Sequence, residues 1–404
     1  MRVDLTRLAR GGEDGVATSA FPGPPESGKD LHRLRVLRRI VADGPISRVE
    51  LSRRTGLAPA TVNRLVAGLE GQGLVVDAGE DLRTGGRPSR LVAFNRTYGR
   101  LLAVDVADRH TDLGWFDLTG DLIERRRLVP NPASGEPRVE HTVRAVTSAV
   151  DGPERPPVLA VGVSVPGPVD RDGEVVFAPS LRWHHVPLAE LLHEHTSRTV
   201  VVENDANLIA LAEYLDGAWG TARSLVCIAV FDGVGSGIVE NGRVWRGASG
   251  TAGQFGRMLT EVGSLRHTYE GFGDLELRLG RAGIAQRAAR QSLVDLASPD
   301  PLADLMHAVR DGDPDATRFL DEVLDEYAFS LVNVCAILAP DVITFSGAFA
   351  PFAHLVLPGL LARLRQQVAD VPRLVTAATG QDGPLLGAAA SAFQAAGGLA
   401  GLMR

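Results

Sequence analysis

Apolar residues recur at every third or fourth position after residue 59 and predict an amphipathic helix. Those on its inner face are Val62, Leu65, Val66 and Leu69. Pro59 stands at the expected start of this helix, a position that tolerates the missing N–H of proline. A shorter amphipathic segment precedes it over residues 49–54, and Gly56 between the two is free to adopt the left-handed backbone of a tight turn. The pattern over residues 46–71 therefore predicts a helix-turn-helix.

The segments on either side add a third helix and a wing. A helix is predicted over residues 31–42, before the stop signal DGP. After the helix-turn-helix come two short β-prone runs, 74–76 and 91–94, and between them a tip that carries cations, RTGGRP at 83–88. Such a tip reaches a minor groove or phosphates in winged proteins. An ordinary helical corner is the alternative for the two helices alone, but it does not account for the wing.

Six side chains are the candidates for contacts with DNA. The exposed face of the second helix carries Thr61, Asn63 and Arg64, whose hydrogen-bonding groups suit base edges in a major groove. The candidates for phosphate or minor-groove contacts are Arg83, Arg87 and Arg90. We therefore expect operator DNA to bind this part of the chain.

The net charge of −7 hides an asymmetry. Residues 31–95 contain eleven arginines and six acids, so this segment carries +5 and the remainder −12. A basic module on an acidic body is typical of a protein that approaches phosphates at one end. A chance cluster of solvated arginines is the alternative, but it does not explain why the cluster coincides with the winged motif.

Beyond residue 100 the pattern changes to strand meanders that alternate with helices. Residues 101–129 predict three strands, followed by a helix over 139–150 and a strand over 158–165. A similar meander begins at residue 225, and the chain alternates strands and helices again from 342 to 395. This alternation predicts an α/β fold with two lobes around two sheets. Its repetition predicts a duplicated fold with a cleft between the lobes.

The domain boundaries follow from shifts in composition. Residues 1–30 are rich in Gly, Pro, Ser and acids and are expected to be disordered, because such a segment cannot bury enough surface to offset its ordering entropy. The winged helix-turn-helix domain is assigned to 31–95 and the α/β domain to 101–395. Residues 96–100 form a short connector between them.

Bulk composition limits the class of protein. A chain of 404 residues with 45% hydrophobic and 23% charged residues is expected to form two or three domains. No run approaches the roughly 20 apolar residues that span a bilayer, and the first residues lack a secretory signal, so we expect a cytoplasmic protein without a membrane partner. Cys227 and Cys335 lie in apolar strings, which indicates buried thiols rather than a disulfide or a metal site.

Three longer motifs carry a resemblance to a known family. They are VSVPGPVD at 163–170, ENDAN at 203–207 and GASGTAG at 247–253. On these motifs the chain resembles transcriptional regulators of the ROK family, over roughly residues 31 to 393. The resemblance implies a winged helix-turn-helix joined to a two-lobed, actin-like sugar-kinase fold. Many similar proteins leave DNA when they bind a sugar.

The resemblance also implies a sugar site. Asn204 and Asp205 follow a buried strand and open a helix, and Glu276 matches a distal glutamate that contacts sugar in the family. A sugar hydroxyl both donates and accepts, so amide and carboxylate groups at one point suit it. In kinases of the family the matching aspartate is the general base. The alternative is that Asp205 is only a helix cap.

A departure from the family's kinases argues against catalysis. Those kinases have an Asp-x-Gly-Gly-Thr phosphate loop after the first strand, whereas this chain has DVADRH at 105–110. The small residues that let backbone N–H groups approach a phosphate are replaced by Ala107 or Asp108 and Arg109, and Asp108 would repel phosphate oxygens. We therefore expect no enzyme, no catalytic residue and no cofactor, since phosphoryl transfer depends on positioning the phosphates.

The family's zinc site is changed at every position. Arg257 stands where the family has histidine, and His267, Tyr269 and Asp274 stand at the cysteine positions. Arginine cannot ligate a metal and no thiolate is left, so no metal is expected. A weak metal pair of His267 and Asp274 is the alternative to two surface residues.

The same changes alter the expected ligand site of Asn204, Asp205, Gln254, Arg257 and Glu276. Gln254 replaces a glutamate, and Arg257 adds a fixed cation with five donors. Such a pocket favours an acidic or phosphorylated sugar. Alternatively, Arg257 pairs with Asp205 or Glu276 and the pocket binds nothing.

Three functions are compatible with these features. A sugar-responsive repressor is the first, a ROK sugar kinase the second, and a constitutive DNA-binding regulator with a vestigial pocket the third. In the first, the ligand lies between the lobes, orders the loop at 256–273 and repositions the winged domain through the connector at 96–100.

A homodimer or homotetramer is expected, because helix-turn-helix dimers read two half-sites about 34–36 Å apart or a multiple of that distance. A bulky apolar stripe on a predicted helix over 316–338 is the candidate interface. Its members are Phe319, Val323, Tyr327, Leu331 and Val334. The alternative is that the stripe belongs to the core of the second lobe.

Overall fold

Secondary structure follows the predicted order, with a helical N-terminal part and then alternating strands and helices. The computed structural model describes residues 1–10, 28–81, 89–130, 137–152, 156–216, 219, 222–231, 233–269 and 271–403. The helices are α1 (Leu5–Arg10), α2 (Gly28–Asp43), α3 (Arg48–Thr55), α4 (Pro59–Gly71), α5 (Arg138–Val150), α6 (Leu188–Thr196), α7 (Asp205–Asp216), α8 (Asp274–Leu279), α9 (Arg281–Arg290), α10 (Pro301–Arg310), α11 (Pro314–Leu338), α12 (Ala353–Gln367), α13 (Gly383–Ala395) and α14 (Gly398–Gly401). The strands are β1 (Ile46–Ser47), β2 (Val75–Asp81), β3 (Ser89–Phe94), β4 (Arg100–Val106), β5 (Thr111–Asp117), β6 (Leu122–Leu128), β7 (Val158–Val165), β8 (Val175–Ala178), β9 (Trp183–Val186), β10 (Thr199–Asn204), β11 (Ser224–Val230), β12 (Val234–Glu240), β13 (Arg243–Val244), β14 (Val342–Gly347) and β15 (Arg373–Thr376).

The winged helix-turn-helix is confirmed. The Ser47 hydroxyl accepts a hydrogen bond from the Glu50 N–H at 3.2 Å and caps α3. Helix α3 ends at Gly56, whose φ of 67° is left-handed and whose N–H donates to the Ser52 carbonyl at 2.9 Å. The residues that α4 buries are Val62, Leu65, Val66 and Leu69, as the spacing predicted. Strands β1, β3 and β2 form an antiparallel sheet in that order. The wing tip with Arg83 and Arg87 lies outside the described residues.

The expected disorder of residues 1–30 is wrong for both ends of that segment. Val3 and Leu5 are 0% exposed, and α1 begins at Leu5. The Val3 N–H donates to the Gly120 carbonyl at 2.9 Å, and a Cβ at Gly120 would lie 1.8 Å from the Val3 carbonyl oxygen. Two apolar side chains and one backbone contact thus order a stretch whose average composition is that of a disordered chain. At the other end, α2 begins at Gly28; residues 11–27 lie outside the described ranges.

The chain divides into two compact units. The first comprises Met1–Ser164, Pro187–Val202 and Ala388–Arg404, and the second comprises Val165–Val186 and Glu203–Gly387. One five-stranded sheet has the order β10-β7-β4-β5-β6, and the other has the order β13-β12-β11-β14-β15. Each contains a three-stranded antiparallel meander whose first strand, β4 or β11, pairs in parallel with β7 or β14. The shared topology confirms the duplicated α/β fold.

Helix α11 belongs to the core of the second unit. Of the expected interface stripe, Val334 is half-buried and the other four members are at most 1% exposed. The Tyr327 hydroxyl donates to the Leu279 carbonyl at 2.6 Å, which fixes the helix against the end of α8. The stripe therefore belongs to the core of the second unit, because its side chains pack against other residues of that unit. On the same helix, Phe329 and Ile337 are 58% and 80% exposed.

Both cysteines are buried free thiols, as predicted. Burial raises the pKa of Cys227 to about 12 and also raises the pKa of Cys335.

Within the described ranges, no helix combines the length and the apolar character needed to cross a bilayer.

The two phenylalanines of α11 provide a matched test of this packing. Phe319→Ala is expected to lower the free energy of unfolding of the second unit by about 3–5 kcal/mol, because it leaves a cavity in a closed core. Phe329→Ala, on the exposed face of the same helix, should change it by less than about 0.5 kcal/mol. Denaturant unfolding followed by circular dichroism measures both. Equal losses for the two variants would contradict the assignment of the buried face.

Candidate ligand site and DNA-recognition surface

The junction between β10 and α7 carries the motif residues Asn204 and Asp205. The Asn204 side-chain oxygen accepts hydrogen bonds from the N–H groups of Ala206 and Asn207 at 3.0 and 3.3 Å, so Asn204 caps α7. Asp205 Oδ1 accepts from the Ala206 N–H at 2.7 Å and from Asn204 Nδ2 at 3.0 Å. Its Oδ2 accepts no hydrogen bond from any described residue. One carboxylate oxygen is thus left for a ligand.

The environment of Asp205 favours its neutral form. Burial raises its pKa to about 6, and the charge of Glu276 adds to that rise. Hydrogen bonds from Ala206 and Asn204 oppose it without cancelling it. A carboxyl group with such a pKa changes between acceptor and donor close to neutral pH, which is the property required of a group that exchanges hydrogen bonds or protons with a hydroxyl.

Glu203, which was not predicted as a site residue, holds the junction between β10 and α7 through hydrogen bonds. It is 1% exposed, and its Oε1 accepts from the Asn204 N–H and from Asn207 Nδ2, both at 2.9 Å. Its other oxygen pairs with Arg246. The available signal was an acid that directly follows the apolar run of β10, since a buried charge needs partners. Asn204 Nδ2 also donates to the Gly167 carbonyl at 3.0 Å, which joins the PGP motif to the junction.

Glu276 is joined to the same junction through β12. Its Oε1 accepts from the Val234 N–H at 3.0 Å and its Oε2 from the Gly273 N–H at 3.2 Å. Burial raises its pKa, while these two hydrogen bonds and the charge of Arg257 oppose the rise. Directly after Val234, Gly235 approaches the first turn of α7, where a Cβ would lie 3.0 Å from the Ala206 methyl group. Strand β12 therefore connects the carboxylate of Glu276 with the start of α7.

Gln254 directly precedes a short 3-10 turn, Phe255–Arg257, and Arg257 is the last residue of that turn. The Arg257 N–H donates to the Gln254 carbonyl at 3.0 Å, while the half-buried Gln254 amide bonds to no described residue. Arg257 is exposed, and its Nη2 donates to the Gly271 carbonyl at 3.0 Å. Among the described residues it forms no ion pair with Asp205 or Glu276, although its charge acts to lower the pKa of Glu276.

The recognition helix presents the side chains expected to contact bases. Asn63 and Arg64 are exposed and Thr61 is half-buried on the outer face of α4. Arg64 has no hydrogen-bond or ion-pair partner within the described part of the chain. By contrast, Arg90 Nη2 lies 2.5 Å from Asp77 Oδ2. The Arg90 side chain is nevertheless 78% exposed, so its remaining N–H donors stay accessible.

The turn at residues 107–110, after β4, is held by an arginine. The Arg138 guanidinium, at the start of α5, donates to the carbonyls of Ala107 and His110 at 2.8 and 2.6 Å and to the Thr111 hydroxyl at 3.1 Å. The Asp108 side chain is 61% exposed. The carbonyl oxygens of Ala107 and His110 thus point to the Arg138 guanidinium, and the Asp108 carboxylate is exposed to solvent.

A winged helix-turn-helix joined to a duplicated α/β fold defines a class of DNA-binding regulator on a sugar-kinase-like scaffold. Residues 101–395 match the ROK family, and residues 29–76 match a winged helix-turn-helix DNA-binding family. The chain belongs to the ROK family.

Regulators are among the proteins it resembles. It is 26% identical over 358 residues to the xylose repressor of Caldicellulosiruptor bescii, with 84% of this chain and 88% of the relative covered. It is 26% identical over 348 residues to the DNA-binding transcriptional dual regulator NagC of Escherichia coli K12, with 84% and 86% covered. A solved ROK family transcriptional regulator, a homologue of the Escherichia coli MLC protein, has a TM-score of 0.74 at 22% identity over 93% of this chain and 98% of that one. This last likeness shows the fold.

The pKa of Asp205 predicts a pH dependence of stability. The pKa of Asp205 is higher in the folded state than in the unfolded chain, where it is near 4. Its protonated form therefore stabilises the folded state below about pH 4, and this contribution is lost as the pH rises through about 6. Asp205→Asn removes this titration. The melting temperature of the variant should therefore rise relative to that of wild type as the pH increases from 4 to 7. The gain corresponds to at most about 3 kcal/mol at roughly 1.4 kcal/mol per pKa unit.

Thermal unfolding monitored at pH 4, 5, 6 and 7 measures this gain. Asp216→Asn, an exposed acid at the other end of α7, is the matched control and should run parallel to wild type. A difference between Asp205→Asn and wild type that stays constant over this range would contradict the raised pKa.

Proposed function

We propose that this chain is a sequence-specific DNA-binding transcriptional repressor controlled by a sugar or sugar derivative. The observation that carries the proposal is the occurrence, in one chain, of the cluster around Asp205 and of Arg64, a cation on α4 that pairs with no described residue. The names of its relatives, a xylose repressor and a transcriptional dual regulator, support the regulatory role.

The ligand in this proposal contacts Asn204, Asp205, Gln254, Arg257 and Glu276, all within the second unit. Asp205 Oδ2, to which no described residue donates, accepts from a sugar hydroxyl. The Gln254 amide, which bonds to no described side chain or backbone group, both donates and accepts. Arg257 keeps further N–H donors beyond the one that binds Gly271, which favours a ligand with a carboxylate or phosphate group.

We infer that the domain is not a kinase. Phosphoryl transfer requires backbone N–H groups and a metal around the phosphates. Here the turn at 107–110 directs two carbonyls to Arg138 and presents the carboxylate of Asp108, an arrangement that repels a nucleotide. A sugar kinase of the same fold is the rival function, since Asp205 is retained. A regulator with a vestigial pocket is the other.

The regulator acts in this proposal as a homodimer or homotetramer in the cytoplasm, where its operator DNA is found. Two-fold related half-sites require two recognition helices. The connector supports a link from DNA to the first sheet, because Arg96 Nε donates to Asp117 Oδ2 at 2.7 Å within the first unit. Asn95 Nδ2 donates to the Gly73 carbonyl at 2.7 Å on the winged side.

Removing Arg64 tests the recognition helix. Arg64→Ala should weaken operator binding by about 1–3 kcal/mol and relax base preference, because a base-contacting arginine loses its hydrogen bonds. Arg109→Ala, whose side chain is 93% exposed far along the chain from α4, is the control and should bind like wild type. Systematic selection of bound sequences, followed by fluorescence anisotropy at fixed salt, measures both effects. Unchanged affinity and selectivity of Arg64→Ala would remove the assignment.

Removing Asp205 tests the sensor. Asp205→Ala should bind operator within about twofold of wild type but fail to respond to the sugar that releases wild type, since a ligand shifts an equilibrium only through differential affinity. Anisotropy with a panel of sugars, amino sugars, sugar acids and sugar phosphates, beginning with D-xylose and N-acetylglucosamine, measures the response. Asp216→Ala is the control.

Three outcomes separate the rival functions. If Asp205→Ala left operator DNA at the sugar concentration that releases wild type, the sensor would lie elsewhere in the protein. Failure of every compound to release wild type would favour the vestigial pocket. Turnover of ATP with any sugar of the panel, abolished by Asp205→Asn, would restore the kinase.

A further inference from the structure

By the resemblance described in the sequence analysis, the segment between Arg257 and Asp274 corresponds to the family's zinc motif. A zinc ion would cross-link such a loop through thiolate and imidazole ligands. The residues at those positions here are Arg257, His267, Tyr269 and Asp274. Whether they fit a metal can be judged from the contacts that each of them makes.

Two of the four positions do not fit a metal. The guanidinium of Arg257 has no lone pair to offer and donates to the Gly271 carbonyl at 3.0 Å. Asp274 is 7% exposed, and its Oδ2 accepts from the Thr260 N–H at 2.7 Å and from the Thr260 hydroxyl at 2.8 Å. Ser264 and Tyr269 also act on this carboxylate and help to lower its pKa. A cation would have to displace the two hydrogen bonds from Thr260.

The geometric partner of Asp274 lies at the far end of the loop. Thr260 comes before the 3-10 turn Val262–Arg266, and both its N–H and its hydroxyl donate to Asp274 Oδ2. Between the two residues, Ser264 is 4% exposed although it lies in a polar, glycine-containing stretch. The carboxylate thus closes the loop from the first residue of α8, which is the cross-linking role that a metal fills in a closed structural site.

We propose that the carboxylate of Asp274 replaces a metal ion as the cross-link of this loop, and that it thereby positions Glu276 and the Gln254–Arg257 turn. We name the group formed by Asp274, Thr260, Ser264 and Tyr269 the Asp274 hub. The positioning half of this inference rests on the proposed function, whereas the cross-linking half does not.

The backbone shows how the hub reaches the candidate site. The Leu275 N–H donates to the Met258 carbonyl at 3.1 Å, so the residue that follows Arg257 lies beside the start of α8. A Cβ at Gly273 would lie 2.3 Å from the Gly256 carbonyl oxygen, which shows how closely the two stretches pack. Because Glu276 accepts from the Gly273 N–H, displacement of the hub moves that carboxylate together with the Gln254–Arg257 turn.

The electrostatics agree with this geometry. Burial acts to raise the pKa of Asp274, but the hydrogen bonds from Ser264, Thr260 and Tyr269 outweigh it and lower the pKa to about 2. The carboxylate is therefore ionised throughout the physiological range, and each of its donors gains the strength of a charge-assisted hydrogen bond.

Hydrogen exchange on the full-length protein without sugar tests the cross-link. Asp274→Ala should make the amides of residues 257–273 exchange at least about tenfold faster, because charge-assisted bonds that close the loop are lost. Asp274→Asn keeps an acceptor for Thr260 and should restore part of the protection. Asp311→Ala, an exposed acid of the same unit whose side chain bonds to Arg310, is the control and should match wild type. Unchanged exchange in Asp274→Ala would overturn the hub.

Metal analysis tests the replacement. Wild type purified from zinc-supplemented medium should contain no stoichiometric zinc by plasma mass spectrometry, and EDTA should leave the exchange rates of residues 257–273 unchanged. One zinc per chain, whose removal by EDTA speeds that exchange, would overturn the proposal.

The positioning role has a separate readout. For whichever of D-xylose or N-acetylglucosamine releases wild type from operator, Asp274→Ala should need at least about tenfold more sugar while its operator affinity without sugar stays within about twofold. An unchanged sugar midpoint would overturn positioning. If neither sugar acts on wild type, the proposed sensing of these sugars fails, but the exchange and metal results still decide the cross-link.

Discussion

Close packing of strand β12 on the first turn of helix α7 is the contact on which the candidate site depends. A Cβ at Gly237 would lie 2.4 Å from the Ala206 carbonyl oxygen, so a glycine is needed for the strand to come this near. Three residues earlier on β12, Val234 holds Glu276 by its N–H. The carboxylates of Asp205 and Glu276 therefore belong to one rigid arrangement, and the charge of one raises the pKa of the other.

Features that depend on local periodicity were predictable from the sequence, and features that depend on distant partners were not. The bounds of β7 were predicted without error, and the buried face of α4 follows from spacing alone. The role of α11 was left open, because an apolar stripe has the same spacing whether it faces its own core or another chain. The hub was missed for the opposite reason. Thr260 is an ordinary polar loop residue until Asp274 comes within hydrogen-bonding distance.

The candidate residues of the site divide in the same way. The motif ENDAN marked Asn204 and Asp205, but only the structure shows that Asn204 is the cap and Asp205 keeps a free oxygen. The number of arginines in residues 31–95 likewise overstates how many are available to DNA. Glu50 pairs with Arg53 and Arg54, and the hydrogen bonds from both lower its pKa to about 2. A count of arginines includes such paired cations, whereas DNA binding depends on the cations that are left over.

The burial of both thiols makes the native chain a favourable background for spectroscopic labels. Thiolate is the species that reacts with maleimides, and with a pKa of about 12 only roughly one Cys227 side chain in 10⁵ is ionised at pH 7. Burial also raises the pKa of Cys335 and limits access to its sulfur. Two cysteines introduced on exposed helix faces would therefore take up a pair of fluorophores or spin labels with little reaction at the natural thiols. Domain motions of this regulator are thus open to distance measurements without first removing any natural residue.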